Sequence, residues 1–150
     1  MSWMTCLRLG AVTAMIAIVC ATSVQPVWAG DLGSSVAITD QNYIATPSAT
    51  GVNILLDVFQ SEAALKAAPA ADRATIAETL ARRAVDLYLK ELEDADRKAM
   101  KAADVSIVYI RQRDEYDKPM FSAMTEIGKV SLSLQDGKIA KLDKASEMKF

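Results

Sequence analysis

The chain contains no histidine, and its two cysteines, Cys6 and Cys20, both lie before residue 30. The rest of the chain therefore has neither an imidazole nor a thiol. Without them it cannot form a serine–histidine or cysteine–histidine catalytic pair, or a zinc or copper site that uses these ligands. It can form no internal disulfide either, so packing alone must stabilise it.

Aromatic residues are scarce at 6% of the chain, and no excess of either charge is present. Of the 17 basic residues only Arg8 lies before residue 30, which leaves 16 against 19 acidic residues and a net charge of −3. Nucleic-acid binding requires a basic patch, and anionic lipids attract polybasic clusters. The composition therefore excludes nucleic acid as an expected partner and gives no sign of a lipid-binding surface.

The N-terminal segment has the order of a secretory signal peptide. Arg8 precedes the apolar run Leu9–Val24, and Val27 and Ala29 match the small-residue positions of a cleavage site. We expect cleavage between Ala29 and Gly30, which leaves one domain over residues 30–150 in the periplasm. Secretion from the cell, or retention as an uncleaved anchor in the inner membrane, are the alternatives. After cleavage we expect no stable membrane insertion.

The first half of the domain contains an ambiguous apolar pattern. We expect a flexible start at Gly30–Gly33 and a short edge strand over Val36–Ile44. Thr46 and Pro47 are typical of a helix start, and the spacing of the following apolar residues predicts a helix over Pro47–Ala67. The alternative is a strand through Val52–Phe59, which the β-branched residues favour.

A longer amphipathic pattern follows Pro69. It predicts a helix of about 30 residues, capped by Asp72 or Ala68, with one apolar and one charged face. Its apolar face is rich in alanine, which favours close packing. The apolar positions are Ile76, Leu80, Ala84, Leu87, Tyr88, Leu92, Ala95 and Ala99.

After Ala103 the apolar period changes to two, which indicates strands. Asp136-Gly137 is typical of a two-residue hairpin turn, and Gly128 indicates a bulge or bend. The tail Lys144–Phe150 is expected to be loose. The predicted strands are Val105–Ile110, Met120–Leu134 with a bend at Gly128, and Ile139–Leu142.

These elements predict an α+β domain in two layers. Two helices, one of them long and amphipathic, are expected to pack on a small antiparallel sheet of about three to four strands. The methionines are expected to fill the core rather than bind a soft metal; they are Met100, Met120, Met124 and Met148.

The charged segment Arg111–Pro119 joins two predicted strands and is the candidate site, since loops on a rigid sheet often bind ligands. Arg111 and Arg113 are two residues apart and could together bind a carboxylate or phosphate. Three acidic residues could provide oxygen ligands to calcium or magnesium, although their spacing does not match a calcium loop. The candidate binding residues are Arg111, Arg113, Asp114, Glu115, Tyr116, Asp117 and Lys118.

Three functional hypotheses follow. The first is a non-enzymatic exported accessory or binding protein that uses this loop, with another envelope protein or a small ligand as partner. On this hypothesis, replacing Arg111 and Arg113 by alanine abolishes binding and leaves the melting temperature unchanged. The second is a carboxylate-dependent hydrolase or a calcium-binding module centred on the loop. The third is a subunit of a larger envelope complex. No cofactor or resident metal is predicted, and the oligomeric state is left open.

Overall fold

The computed structural model describes residues 29–150, with side chains from residue 31, so the predicted signal peptide lies almost wholly outside the described residues. Along the described part of the chain, one helix precedes two strands, and three further helices precede the last three strands. The helices are α1 (Ala29–Ser35), α2 (Glu62–Ala67), α3 (Arg73–Glu91) and α4 (Asp94–Ala99), and the strands are β1 (Tyr43–Pro47), β2 (Gly51–Asp57), β3 (Ala102–Ile110), β4 (Met124–Gln135) and β5 (Lys138–Ala145).

The five strands form one sheet in the order β1-β2-β3-β4-β5. Strands β2 and β3 are parallel, and the other three pairs are antiparallel. The chain returns from β2 to β3 through α2, α3 and α4, because a parallel connection needs a crossover. The predicted α+β class is confirmed, but the sheet is larger than expected and mixed rather than purely antiparallel.

The predicted helix over Pro47–Ala67 is wrong for most of its length. Residues 43–57 form a hairpin of β1 and β2, and only the short helix α2 remains of the prediction. Along β2 the side chains of Val52, Ile54 and Leu56 are buried while Asn53 is exposed, which is the period of a strand. The edge strand predicted over Val36–Ile44 occurs later, as β1.

The long predicted helix is interrupted. Leu92 and Glu93 have extended backbone angles, which separate the 19-residue α3 from α4. The guanidinium of Arg97 donates a 2.9 Å hydrogen bond to the carbonyl oxygen of Leu92 and so satisfies an acceptor at the end of α3. The apolar face of α3 is as predicted at Ile76, Leu80, Ala84 and Tyr88, which are buried against the sheet, but Leu87 is 37% exposed and Val85 and Leu89 are buried in its place. Ala95 and Ala99, also predicted on this face, are exposed in α4.

The start of the domain is helical rather than flexible. Helix α1 packs on α3, and a Cβ atom added to Gly33 would lie 2.8 Å from the Cβ atom of Thr79. Arg83 on α3 donates hydrogen bonds of 2.6 and 2.7 Å to the carbonyl oxygens of Gly33 and Val36. Helix α1 is thus held by close packing and by a cation at its C-terminal end.

Strand β4 contains the predicted irregularity and ends at the predicted turn. Its register on β3 shifts between Ile107 and Val108, next to Gly128. Asp136 and Gly137 both have positive φ angles, 51° and 77°, as the predicted two-residue turn requires.

The C-terminal tail is ordered, contrary to the prediction. Lys144 and Ala145 belong to β5, the N–H group of Lys149 donates a 2.8 Å hydrogen bond to Ile127, and Met148 is fully buried. The burial of Met148 and this backbone hydrogen bond together hold the polar segment against the sheet.

Two of the four methionines behave as predicted. Met100 and Met148 are buried in the core, whereas Met120 and Met124 are 43% and 46% exposed. The core-filling prediction is therefore wrong for the latter pair, which lies where the chain enters β4.

Candidate functional site

The candidate site lies at the edge of the sheet where the parallel strands β2 and β3 both end. Strand β2 ends at Asp57 and is followed by a 3-10 turn over Phe59–Ser61, and β3 ends at Ile110 and is followed by the charged hairpin 111–119. Ligands of open sheets bind preferentially beyond the carboxyl ends of parallel strands. The two segments that follow these strands therefore form the candidate site.

Asp57 joins the two segments. Its side chain is only 1% exposed, and it is the one buried residue with a charged side chain in the described part of the chain. Its Oδ1 atom accepts hydrogen bonds from the N–H groups of Phe59, at 3.0 Å, and Ile110, at 3.1 Å, and its Oδ2 atom lies 3.2 Å from an Nη atom of Arg113. A buried carboxylate with this set of partners fixes the ends of both strands relative to each other.

Arg113 connects Asp57 to the hairpin. Its guanidinium donates a 3.0 Å hydrogen bond to the carbonyl oxygen of Asp117 and lies 3.7 Å from the Asp117 carboxylate. It also lies 5.7 Å from the centre of the Phe59 ring, within the range of a cation–π contact. All three nitrogen atoms of this guanidinium thus face acceptors of the protein itself.

The hairpin is closed by its own backbone. Arg113 and Pro119 form an isolated β-bridge, and Asp114 Oδ1 accepts hydrogen bonds from the N–H groups of Tyr116, at 2.9 Å, and Lys118, at 2.8 Å. Asp117 has a φ angle of 59°. Asp114 therefore forms the turn, a common role of aspartate, and presents less of its carboxylate to a ligand than the sequence suggested.

A cleft of about 230 Å³ opens beside this ion pair, between the segment before β1, the turn after β2 and the hairpin. The side-chain amide of Asn42 supports one wall, since it donates hydrogen bonds to the carbonyl oxygens of Ala37, at 2.8 Å, and Asp57, at 3.0 Å. The lining is mainly polar and consists of Val36, Ala37, Thr39, Gln41, Asn42, Asp57, Val58, Gln60, Ser61, Arg113, Asp117 and Pro119.

Arg111 has its own carboxylate partner outside the cleft. It lies 2.8 Å from Glu62 Oε1, which also lies 2.6 Å from Lys66 Nζ. The hydrogen bond from Lys66, followed by that from Arg111, lowers the pKa of Glu62. Arg111 also lies 5.8 Å from the centre of the Phe59 ring, so the two arginines share one aromatic ring, but each is paired with a different carboxylate. Both arginines of the predicted anion-binding pair are therefore already paired with carboxylates of the protein itself.

A buried tyrosine lies beside Arg111. Tyr109 is 2% exposed, its ring is 6.3 Å from Phe59 and 5.9 Å from Phe150, and Arg73 lies over the Phe150 ring. No hydrogen-bond partner for its hydroxyl group occurs among residues 29–150. Burial, followed by the nearby charge of Glu62, raises the pKa of Tyr109 to about 12.

The structure separates the predicted site residues. Arg113 and Asp117 line the cleft, Asp114 forms the turn, and Arg111 contacts Glu62. Tyr116 is 74% exposed near the hairpin tip. Glu115 and Lys118 are also exposed there, outside the cleft lining.

The sequence interpretation missed Asp57, Asn42 and Gln60. The signal for Asp57 was present, because an acidic residue at the end of an apolar strand often marks a site at a sheet edge. It becomes visible only when residues 52–57 are interpreted as a strand, which was the alternative interpretation.

The described residues contain no group of three or more histidine, cysteine, aspartate or glutamate side chains arranged to hold a metal ion. Within the same part of the chain, no helix combines the length and apolar character needed to span a bilayer. The two carboxylates that line the cleft, Asp57 and Asp117, both contact the guanidinium of Arg113.

Together the fold and the cleft define a two-layer α+β domain with a small polar cavity at the carboxyl edge of its parallel strand pair. Comparison of the chain with family models, curated proteins and solved structures found no match in any of the three.

Proposed function

We propose that this chain is an exported, non-enzymatic binding protein that takes a small polar ligand in the cleft beside Asp57 and Arg113. The observation that carries the proposal is the position of a polar cleft at the carboxyl ends of the parallel strands β2 and β3. Binding sites typically combine a preformed concave surface with a few fixed polar groups, and this cleft has both.

The rigidity of the cleft supports binding. Asp57 is held by two backbone N–H groups and one guanidinium, and the hairpin is closed by the Asp114 turn. A site whose groups are already ordered loses less conformational entropy when a ligand arrives. The polar side chains of Gln60 and Ser61 can then bond a ligand without rearrangement of the sheet.

The chemistry of the lining favours binding over catalysis. The cleft contains two hydroxyl groups, those of Thr39 and Ser61, but the chain has no histidine that could deprotonate either one. Its two carboxylates share a single guanidinium. Acid–base catalysis by a carboxylate pair would need one protonated and one ionised group facing the substrate.

The proposal is tested by nuclear magnetic resonance with a panel of small polar molecules: glycine, lysine, glucose, succinate and putrescine. We expect at least one of them to shift the amide signals of the cleft lining in a saturable manner. A Gln60→Ala variant should weaken that binding, whereas Gln135→Ala, at an exposed position near the β4–β5 turn, should not. Failure of every probe to shift the cleft signals of the folded protein would refute the proposal.

Export is tested separately by mass spectrometry of the chain recovered from the cell envelope. A mass that begins at Gly30 supports cleavage by a signal peptidase, and a full-length mass in the cytoplasm contradicts export. A full-length mass recovered from the envelope would instead indicate a chain anchored by its first residues.

A role as a subunit of an envelope complex is the second candidate. It is favoured by exposed large apolar side chains, among them Tyr116, Met120, Met124 and Phe150. Exposed apolar side chains are enriched at protein interfaces. Crosslinking in the envelope should then capture a partner of defined mass with the wild type, and a Tyr116→Ser, Met124→Ser variant should lose it.

A further inference from the structure

The charges of the cleft point to the chemical class of its ligand. The sequence suggested an arginine pair that binds a carboxylate or phosphate, but Arg113 is the one basic residue of the cleft lining, and Arg111 lies outside the lining. The charge of Arg113 is offset by Asp57 at 3.2 Å, and its remaining nitrogen atoms face Asp117. Little of this cation is left for an anionic ligand.

The carboxylates of the cleft, unlike its guanidinium, keep free hydrogen-bonding capacity. Two carboxylates and one guanidinium give the lining a net charge of −1. The side chain of Asp117 is 77% exposed, and its contact with Arg113 is long, at 3.7 Å. A carboxylate has about four acceptor positions, so Asp117 can accept further hydrogen bonds from a ligand.

The remaining polar residues of the lining can accept hydrogen bonds from a ligand that carries N–H groups. The side-chain oxygens of Gln41, Gln60 and Ser61 can each accept a hydrogen bond from an N–H group. The cleft has a volume of about 230 Å³. That is room for a molecule of the size of an amino acid or a short diamine.

We infer that the cleft binds a small organic cation carrying a primary ammonium group, held by the Asp117 carboxylate and the neutral oxygens of the lining. The inference rests on the proposed binding function and specifies its ligand class. We expect small carboxylates and phosphates to bind poorly, because the lining has a net charge of −1 and its one guanidinium is paired with Asp57 and Asp117.

The test uses three four-carbon probes that differ in their end groups: putrescine, succinate and uncharged butane-1,4-diol. We expect putrescine to shift the amide signals of the cleft lining and its affinity to fall as salt is added. We expect neither succinate nor the diol to do so at the same concentration.

Asp117→Asn is the matching variant. It removes the charge and keeps the shape, and asparagine tolerates the positive φ angle of 59° at this position. Loss of a charge-assisted hydrogen bond should weaken putrescine binding by about tenfold or more. Glu115→Gln is the control, since it removes the same charge from an exposed position of the hairpin that does not line the cleft.

Succinate binding, or equal binding of the diol and putrescine, would overturn the assignment to a cation while leaving a binding cleft in place. An undiminished affinity of Asp117→Asn for putrescine would overturn it as well. Absence of any response to these three probes, when glucose does bind, would again reject the ligand class and keep the proposed function. The failures of the two proposals are thus distinguishable.

Discussion

The two arginines of the hairpin, Arg111 and Arg113, have the same chemistry and lie in different environments. Both contact the Phe59 ring and both pair with a carboxylate, but Arg113 is 16% exposed and its partner Asp57 1%, whereas Arg111 is 55% exposed and Glu62 21%. The Arg113 pair joins the ends of two strands, and the Arg111 pair lies at the surface. Burial, rather than residue type or spacing, therefore separates the structural Arg113–Asp57 pair from the surface Arg111–Glu62 pair.

The largest expected effect is that of Arg113→Ala. Removing one member of a buried ion pair leaves the other charged and desolvated, which costs about 3–5 kcal/mol. The sequence suggested that replacing both Arg111 and Arg113 by alanine would leave the melting temperature unchanged. At Arg113 we now expect the melting temperature to fall instead. Urea unfolding of Arg113→Ala should show the loss, and the Arg111→Ala control should unfold almost as the wild type does. Equal and small changes for both variants would remove the distinction between the two pairs.

The next largest effect is expected in the C-terminal tail, whose Phe150 ring stacks on Tyr109 beside Arg111. Met148 is fully buried, and truncation of a buried methionine to alanine costs about 2–5 kcal/mol. We expect Met148→Ala to lower the midpoint of urea unfolding. The control Met120→Ala, at a residue that is 43% exposed, should change the stability by no more than about 0.5 kcal/mol. A wild-type midpoint for Met148→Ala would mean that the tail is loose, as the sequence suggested.

The fold could be predicted where local chemistry decides it. The alternation over 105–110 and the Asp136-Gly137 turn follow from backbone rules that act within a few residues. Residues 52–59 could not be resolved, because their apolar pairs fit both a helix and a strand, and only pairing with β1 and β3 selects the strand. Tertiary context overrides a local pattern in such a segment.

The candidate site was predicted in part for the same reason. The hairpin was identified as a loop from its charges, and Arg113 and Asp117 were named. Asp57 was missed because its role depends on the strand assignment. The order of the tail was missed because it depends on long-range contacts, namely the burial of Met148 and the hydrogen bond from Lys149 to Ile127. A periodicity analysis has no means of weighing a single long-range contact.

A smaller effect should appear at high pH. Burial raises the pKa of Tyr109 from 10.0 to about 12, so between these values the folded protein keeps a proton that the unfolded chain releases. The free energy of unfolding should therefore fall as the pH rises from 10 towards 12. Tyr43, whose pKa burial raises to the same value, contributes in the same direction. Ultraviolet absorbance during an alkaline titration should show one late-ionising tyrosine fewer in Tyr109→Phe, and loss of amplitude near pH 10 instead would show that Tyr109 is accessible to solvent.

The smallest effect is expected at the exposed Arg111–Glu62 pair, where it contrasts with the Arg113–Asp57 pair. Hydrogen bonds from Lys66 and then Arg111 lower the pKa of Glu62, so its contribution to stability is present above the ordinary pKa of a glutamate and is lost as the pH falls through the lowered value. In a carboxyl titration followed by nuclear magnetic resonance, Lys66→Met should raise the Glu62 midpoint more than Arg111→Ala does, because Lys66 is the larger cause. Both variants should keep the wild-type unfolding midpoint at neutral pH, since an exposed pair adds little to stability. If Arg111→Ala moves the Glu62 midpoint more than Lys66→Met and also destabilises the fold, the Arg111 pair is a second structural pair and the contrast with Arg113 disappears.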